Sequence, residues 1–361
     1  MKPLFSFIIA GLATLLFFDV FMKQAKITPP ILKYYNDTFG SLNRPHLNYL
    51  KSVEGFFIGH SNYDGRFREN YPKRKDNKKT LRILLIGDSF VEGIDVLSRN
   101  HFAQYMEDIL KEKLNTNVEI LNLGKGNCVL HASSYYFINY VQKEYDIDLV
   151  LYFTEFRDIL ATNEYPSTSF KLDEKTGKLE DNFSWQNTAE YRLHKKLTGM
   201  PLVKYYEDIA ATRLAYRAWS GLKTRGFLPM TLGKFYGSIP EQDYSYTKYD
   251  VPISGLSKKV YDTLEAYPNG QMLFVVRNLP TDAYMVKDYF KENNYPFIDL
   301  NDTLDKQVIR GTEINAHFFK TTQSYGGHWN HEGHKAVGHF LANRIARDIH
   351  TYKMPFFKNE D

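Results

Sequence analysis

The stretch that most constrains this chain is Leu81-Arg82-Ile83-Leu84-Leu85-Ile86-Gly87-Asp88-Ser89-Phe90-Val91-Glu92-Gly93. Branched apolar residues run up to an abrupt Gly-Asp-Ser, and a second glycine lies four residues past the serine. Such a run reads as a strand of a parallel sheet, buried on both faces and therefore lacking polar alternation. Its break places Ser89 at the carboxyl edge of the sheet, where α/β folds bind ligands. Ser89 is then either a nucleophile at that edge or a serine that caps the following segment.

The flanking sequence supplies the rest of a sheet. After a strand at 82–87, residues 100–115 carry Phe102, Tyr105, Met106, Ile109, Leu110 and Leu114 at helical spacing. A strand at 118–122, a helix at 133–145 and a strand at 148–153 follow. The rhythm resumes with a strand at 272–276, a helix at about 281–293, a short strand at 296–300 and a terminal helix through Ala336, Phe340, Leu341 and Ile345. Strands alternating with helices of this length predict crossover units and a mostly parallel sheet, an α/β class with a three-layer α/β/α sandwich. Between the two halves lie a hairpin at 170–180 turning at Lys175-Thr176-Gly177, a helical stretch at about 188–222 and a Tyr-rich loop at 236–249. So long a segment reads as an insertion or cap.

The N-terminus predicts a membrane anchor. Residues 4–22 form an almost unbroken apolar run whose only charge is Asp19 near the far end, and at a 1.5 Å rise that length is roughly enough for a hydrocarbon core of about 30 Å. Phe21-Met22-Lys23-Gln24-Ala25 is a poor signal-peptidase site, which favours an uncleaved single-pass helix. Lys23 and Lys26 offset Lys2, so charge leaves the orientation open. The divisions are 1–25 anchor, 26–79 juxtamembrane stalk, 80–159 first part of the α/β domain, 160–270 insertion and 271–361 second part. Eight Lys and Arg residues crowd into 66–82, as a solvated linker or as a contact for anionic headgroups or an acidic glycan. Net charge is only +4 and spread out, so no nucleic-acid footprint is indicated. Cys128 is the only cysteine, which excludes an intramolecular disulfide. The 27 Tyr and 26 Phe suit a carbohydrate-facing surface or reflect a compositional bias of the source.

Three blocks carry chemistry: Gly87-Asp88-Ser89-Phe90, Asn122-Leu123-Gly124-Lys125-Gly126, and Gly327-His328-Trp329-Asn330-His331-Glu332-Gly333-His334. In this order, over about 80–158 and 270–347, they resemble the SGNH/GDSL hydrolase superfamily. The resemblance implies Ser89 as nucleophile, with His328 as the base that a neutral hydroxyl needs. It also implies an oxyanion site of preset donors: the Ser89 N–H, a second-block N–H from Gly126 or alternatively Gly124, with Asn127 beside it, and a third-block side chain. The family's third block ends Gly-x-Asn-Asp, whereas this chain has Glu155-Phe156-Arg157-Asp158, which puts Arg157 where the oxyanion Asn is expected. The family's Asp before the His is replaced by Tyr325-Gly326. A Ser–His dyad is therefore expected, its His oriented by a backbone carbonyl or by a repositioned Asp158 or Glu155. Asp88, Gly124 and Asp158 are supporting residues. His331 and His334 share a block with His328, but no second cluster supports a metal, and no cofactor is implied.

The resulting expectation is a membrane-anchored serine esterase or acyltransferase with a periplasmic or extracytoplasmic domain. It would act on an O-acyl, most plausibly O-acetyl, ester of a cell-surface glycan. The alternative is a degraded SGNH-like domain that binds or assembles within an envelope complex.

Overall fold

The computed structural model describes residues 2–24, 33–37, 40–51, 57–60, 72–75, 79–94, 96–126, 130–163, 168–188, 191–192, 195–196, 251–267, 271–277, 279, 282–300, 328–329 and 331–349. The chain opens with α1 (Lys2–Gln24) and two antiparallel hairpins, β1 (Lys33–Asn36) with β2 (Gly40–Asn43) and β3 (Asn48–Lys51) with β4 (Phe57–His60). The apolar run at the centre of the sequence forms β5 (Leu81–Ile86), every residue of it buried. It is followed by a single turn, α2 (Ser89–Glu92), then α3 (Phe102–Leu114) and β6 (Val118–Asn122). Next comes α4 (Leu130–Tyr136), which widens into a π-turn at Phe137–Val141 and ends at Gln142–Glu144. β7 (Leu149–Glu155), α5 (Phe156–Ile159) and the hairpin β8 (Phe170–Asp173) with β9 (Lys178–Asp181) come after it. The chain continues through α6 (Gly255–Glu265), β10 (Gln271–Arg277), α7 (Tyr284–Glu292), β11 (Phe297–Asp299) and α8 (His331–Asp348).

Five strands form the central sheet in the order β11-β10-β7-β5-β6, each pair parallel. The order reverses between β5 and β7, whose carboxyl ends flank the crevice that a doubly wound sheet offers to ligands. Period-two alternation sends Leu81, Ile83 and Leu85 to one face, against Phe102, Met106 and Leu110 of α3 and Val337, Leu341 and Ile345 of α8. Leu84 and Ile86 face the other way, toward α4, α6 and α7 through Tyr135, Val260, Tyr261 and Phe290. These three layers are the α/β/α sandwich expected from sequence.

The hairpin expected at 170–180 is present, with Gly177 supplying the positive φ of 65° that its turn requires. The helix expected at 188–222 and the loop at 236–249 lie largely or wholly outside the described residues. Within the stretch read as an insertion, α6 packs directly on the sheet through Leu256, Val260 and Leu264. It starts at Ser254, whose hydroxyl accepts from the Ser257 N–H.

The basic run does not behave as a free linker where it is described. Lys73 pairs with Glu144, Arg74 with Asp146 at 2.6 Å, Lys75 with Asp148 at 2.9 Å, and buried Arg82 with Glu119 at 2.6 Å. These acids cluster at the amino edge of the sheet, so the segment is strapped to the domain. Among the described residues no helix is long and apolar enough to cross a membrane. Within α1 the described side chains are those of residues 5–21, and the anchor expected over 1–25 extends beyond them.

Candidate active site

Ser89 sits at the switch point because β5 ends there. Gly87 is buried between strands, and a Cβ on it would lie 2.6 Å from Val91 and 2.8 Å from Phe153. Asp88 is extended and caps α2, its Oδ1 accepting from the Phe90 N–H at 2.9 Å. Gly93 closes the turn at φ 62°, returning its N–H to the Ser89 carbonyl. Ser89 is the first residue of this turn, so its own N–H has no intrahelical acceptor. Among the described residues no other group takes it.

His328 reaches this turn from the opposite end of the sequence. Its Nε2 lies 2.7 Å from Ser89 Oγ, within reach for proton transfer. Phe90 supports the ring at a centroid distance of 4.9 Å and also meets Trp329 at 5.1 Å. Trp329 is buried and packs on Phe102 and His334, so it is a packing residue. His334 is buried and neutral: burial pulls its pKa down to about 3, and Nδ1 accepts from the Phe102 N–H at 3.2 Å. His331 faces Glu332 at the surface. Among the described residues no group of three potential metal ligands occurs.

No protein-family model matches the chain, and no curated protein matches it. Similar solved structures include a lipolytic protein of the G-D-S-L family from Veillonella parvula, at 14% identity over 74% of this chain and 99% of that one, TM-score 0.37. A two-domain esterase active on acetylated mannans is 13% identical over 76% of this chain and 51% of that one, TM-score 0.38, so this chain spans about half of its length. Est24, a carbohydrate acetylesterase from Sinorhizobium meliloti, is 11% identical over 74% and 99%, TM-score 0.35.

The site expected from sequence needs oxyanion donors, and here the structure departs from expectation. The Gly126 N–H donates to Glu92 Oε2 at 2.8 Å, so it is committed to a carboxylate and does not serve as the second donor in this arrangement. The Gly124 N–H goes to Asn122 Oδ1 at 2.8 Å and the Lys125 N–H to the Gly87 carbonyl at 3.0 Å. Gly124 instead provides close approach: a Cβ there would lie 2.2 Å from the Glu92 nitrogen. Asn127 lies outside the described residues. Arg157 is more than half exposed and holds Glu155 through Nε at 2.9 Å, which directs it along the carboxyl edge and away from the role of a buried amide.

Among the described residues His328 is seen bonded to Ser89, and Asp158 lies among the acids of the carboxyl edge. It is buried beside Glu155 and Asp88, and desolvation followed by these two charges pushes its pKa up to about 7, against the opposing pull of Arg157 and Arg277. Two buried residues of the site escaped the sequence reading. Arg277 ends β10 opposite Glu155 in register and binds Asp88 at 2.7 Å and Glu155 at 3.1 Å. Its signal was a charge closing an apolar strand at the functional edge. Glu92 lies three residues past Ser89 and accepts from Asn43 Nδ2 at 2.7 Å as well as from Gly126. It therefore ties the β2 hairpin to the Ser89 turn and the second block.

Proposed function

We propose that this protein is an SGNH-type serine esterase or acyltransferase working through a Ser89–His328 dyad. The observation that carries the reading is the 2.7 Å approach of His328 Nε2 to Ser89 Oγ at the sheet's switch point. Ser89 Oγ attacks an ester carbonyl carbon while its proton passes to His328 Nε2. Negative charge develops on the carbonyl oxygen next to the Ser89 N–H, a donor fixed in advance. Collapse expels the alcohol, which takes the proton from His328. Water, or a second hydroxyl, then attacks the acyl-enzyme with His328 again as base.

An O-acyl ester of a glycan is the narrower reading. A small pocket, large enough for about one water molecule, is lined by Ile86, Leu123, Lys125, Ser133 and Tyr136, and Tyr136 stacks with the exposed Tyr140 at 6.2 Å. Exposed aromatic rings suit a pyranose face. Attachment to a membrane through α1, with the domain on the extracytoplasmic side, belongs to the same proposal. It is supported by Phe5, Phe7, Leu12, Leu16 and Phe17, each more than 60% exposed, an apolar surface that a free soluble domain rarely leaves uncovered.

One observation favours a rival, a binding or assembly domain of an envelope complex: the Gly126 N–H is occupied by Glu92. Aryl acetate turnover by wild type, Ser89→Ala and His328→Ala decides between them. The esterase reading expects turnover in wild type that falls at least 10³-fold in both variants; equal background rates in all three would establish the rival. Release of acetate from an acetylated polysaccharide tests the narrower substrate.

A further inference from the structure

We infer that Arg277 is a positioning residue for the nucleophile, locking the turn on both sides of Ser89. This rests on the serine-esterase reading. Its side chain is 8% exposed, and a single nitrogen, Nη2, donates to Asp88 Oδ2 at 2.7 Å and to Glu155 Oε2 at 3.1 Å. The guanidinium carbon lies 3.6 Å from the centroid of the Phe90 ring. Arg277 therefore holds the residue before Ser89 by charge and the residue after it by stacking.

Both contacts propagate to the reacting atoms. Asp88 uses its other oxygen, Oδ1, to cap the Phe90 N–H, so fixing its carboxylate fixes the first turn of α2 and the direction of the Ser89 N–H. Phe90 in turn carries the His328 ring at 4.9 Å. One side chain thus sets the nucleophile, its oxyanion donor and the support of its base. The local charge also depends on it: Asp88, Glu155 and Asp158 meet at this edge, and the other cation, Arg157, is 55% exposed and screened. Without Arg277 the largely buried Asp88 carboxylate would lose its cation, Glu155 would keep only the exposed Arg157, and Asp88 would leave its capping position. Arg277 makes its hydrogen bonds to Asp88 and Glu155, so it acts through them and not on the substrate.

Lysine can neutralise the charge and could donate from one nitrogen to both carboxylates, as Nη2 does, but it has no planar group to stack on Phe90. The experiment compares wild type, Arg277→Lys, Arg277→Met and Arg277→Ala by aryl acetate kinetics, by the rate of fluorophosphonate labelling of Ser89 and by thermal unfolding. The expected result is a kcat loss of about 10²-fold in Arg277→Met, as for a displacement near 1 Å of a reacting group, with KM within about threefold. Arg277→Lys should be intermediate, and millimolar guanidinium, but not sodium at equal ionic strength, should restore part of kcat in Arg277→Ala. Folded variants with wild-type kcat and labelling rate overturn the inference. So does a loss that tracks unfolding alone and is not rescued by guanidinium. If Arg277→Met does not fold, the Lys variant and the guanidinium rescue still decide. A wild type that neither turns over ester nor takes the label sinks the esterase reading itself, which is a separate failure.

Discussion

Replacing Gly124 with alanine probes how closely the second block is pressed onto the Ser89 turn. The added Cβ would lie 2.2 Å from the Glu92 nitrogen and 2.3 Å from the Val91 carbonyl carbon, both of them backbone atoms, so no flexible side-chain end can yield. Ordinary contact begins at 3.4 Å, so the loop and α2 must part by roughly 1 Å, a movement on the scale that costs about 10²-fold in rate. Ser89 rides on α2, so its 2.7 Å contact with His328 opens in the same movement. The Asn122 side-chain bonds to the Val91 carbonyl and the Gly124 N–H stretch as well. The expected outcome is a loss of about 1–3 kcal/mol of stability, the usual range for overpacking, and an approximately 100-fold fall in kcat/KM for an aryl acetate. Denaturant melts and steady-state kinetics measure both. Unchanged stability and turnover in Gly124→Ala would falsify the claim that the two blocks are in contact.

Other perturbations test other parts of the account. Glu92→Gln turns one oxygen of a twofold acceptor into a donor facing either Asn43 or the Gly126 N–H, at a cost of about 1–3 kcal/mol. Adding Asn43→Asp should recover part of it, and a double variant no better than the single would show that the bridge is not formed. Asp158→Asn should stabilise the protein at pH 8 but hardly at pH 4. The folded pKa of about 7 lies above the unfolded value, so the wild type loses stability as pH rises from about 4 to 7, by an amount on the order of a few kcal/mol. A change in melting temperature independent of pH would contradict that burial. Gly177→Ala meets no atom within 4 Å but sits at φ 65°. It should lose about 1 kcal/mol of stability with unaltered turnover, and a loss of activity would show that the hairpin serves the site.

Much of the fold was legible because burial on two faces leaves a simple mark. β5, β6, β7 and β10 are mostly apolar strands of five to seven residues, and the helices between them keep one apolar face. α6 was harder to read because its stripe of Leu256, Val260, Tyr261 and Leu264 follows a long segment without such rhythm. The contact between Ser89 and His328 spans most of the domain in sequence, and only the family-like blocks pointed to it. Backbone donors left no trace: whether the Gly126 N–H faces an oxyanion or Glu92 depends on a buried acid whose role emerges only when Asn43, Glu92 and Gly126 are brought together. Arg277 was concealed similarly, since pairing across β5, β7 and β10 is a property of strand register and not of local sequence.

The central claim is that Ser89 is a nucleophile activated by His328. A fluorophosphonate probe tests it most directly, because Ser89 Oγ would displace fluoride at phosphorus only if its proton has an acceptor. Intact-mass and peptide mapping should find one adduct, on the peptide containing Ser89, absent in Ser89→Ala and formed at least 10³-fold more slowly in His328→Ala. Labelling that is absent from folded wild type, that falls on another residue, or that is as fast in His328→Ala would contradict it.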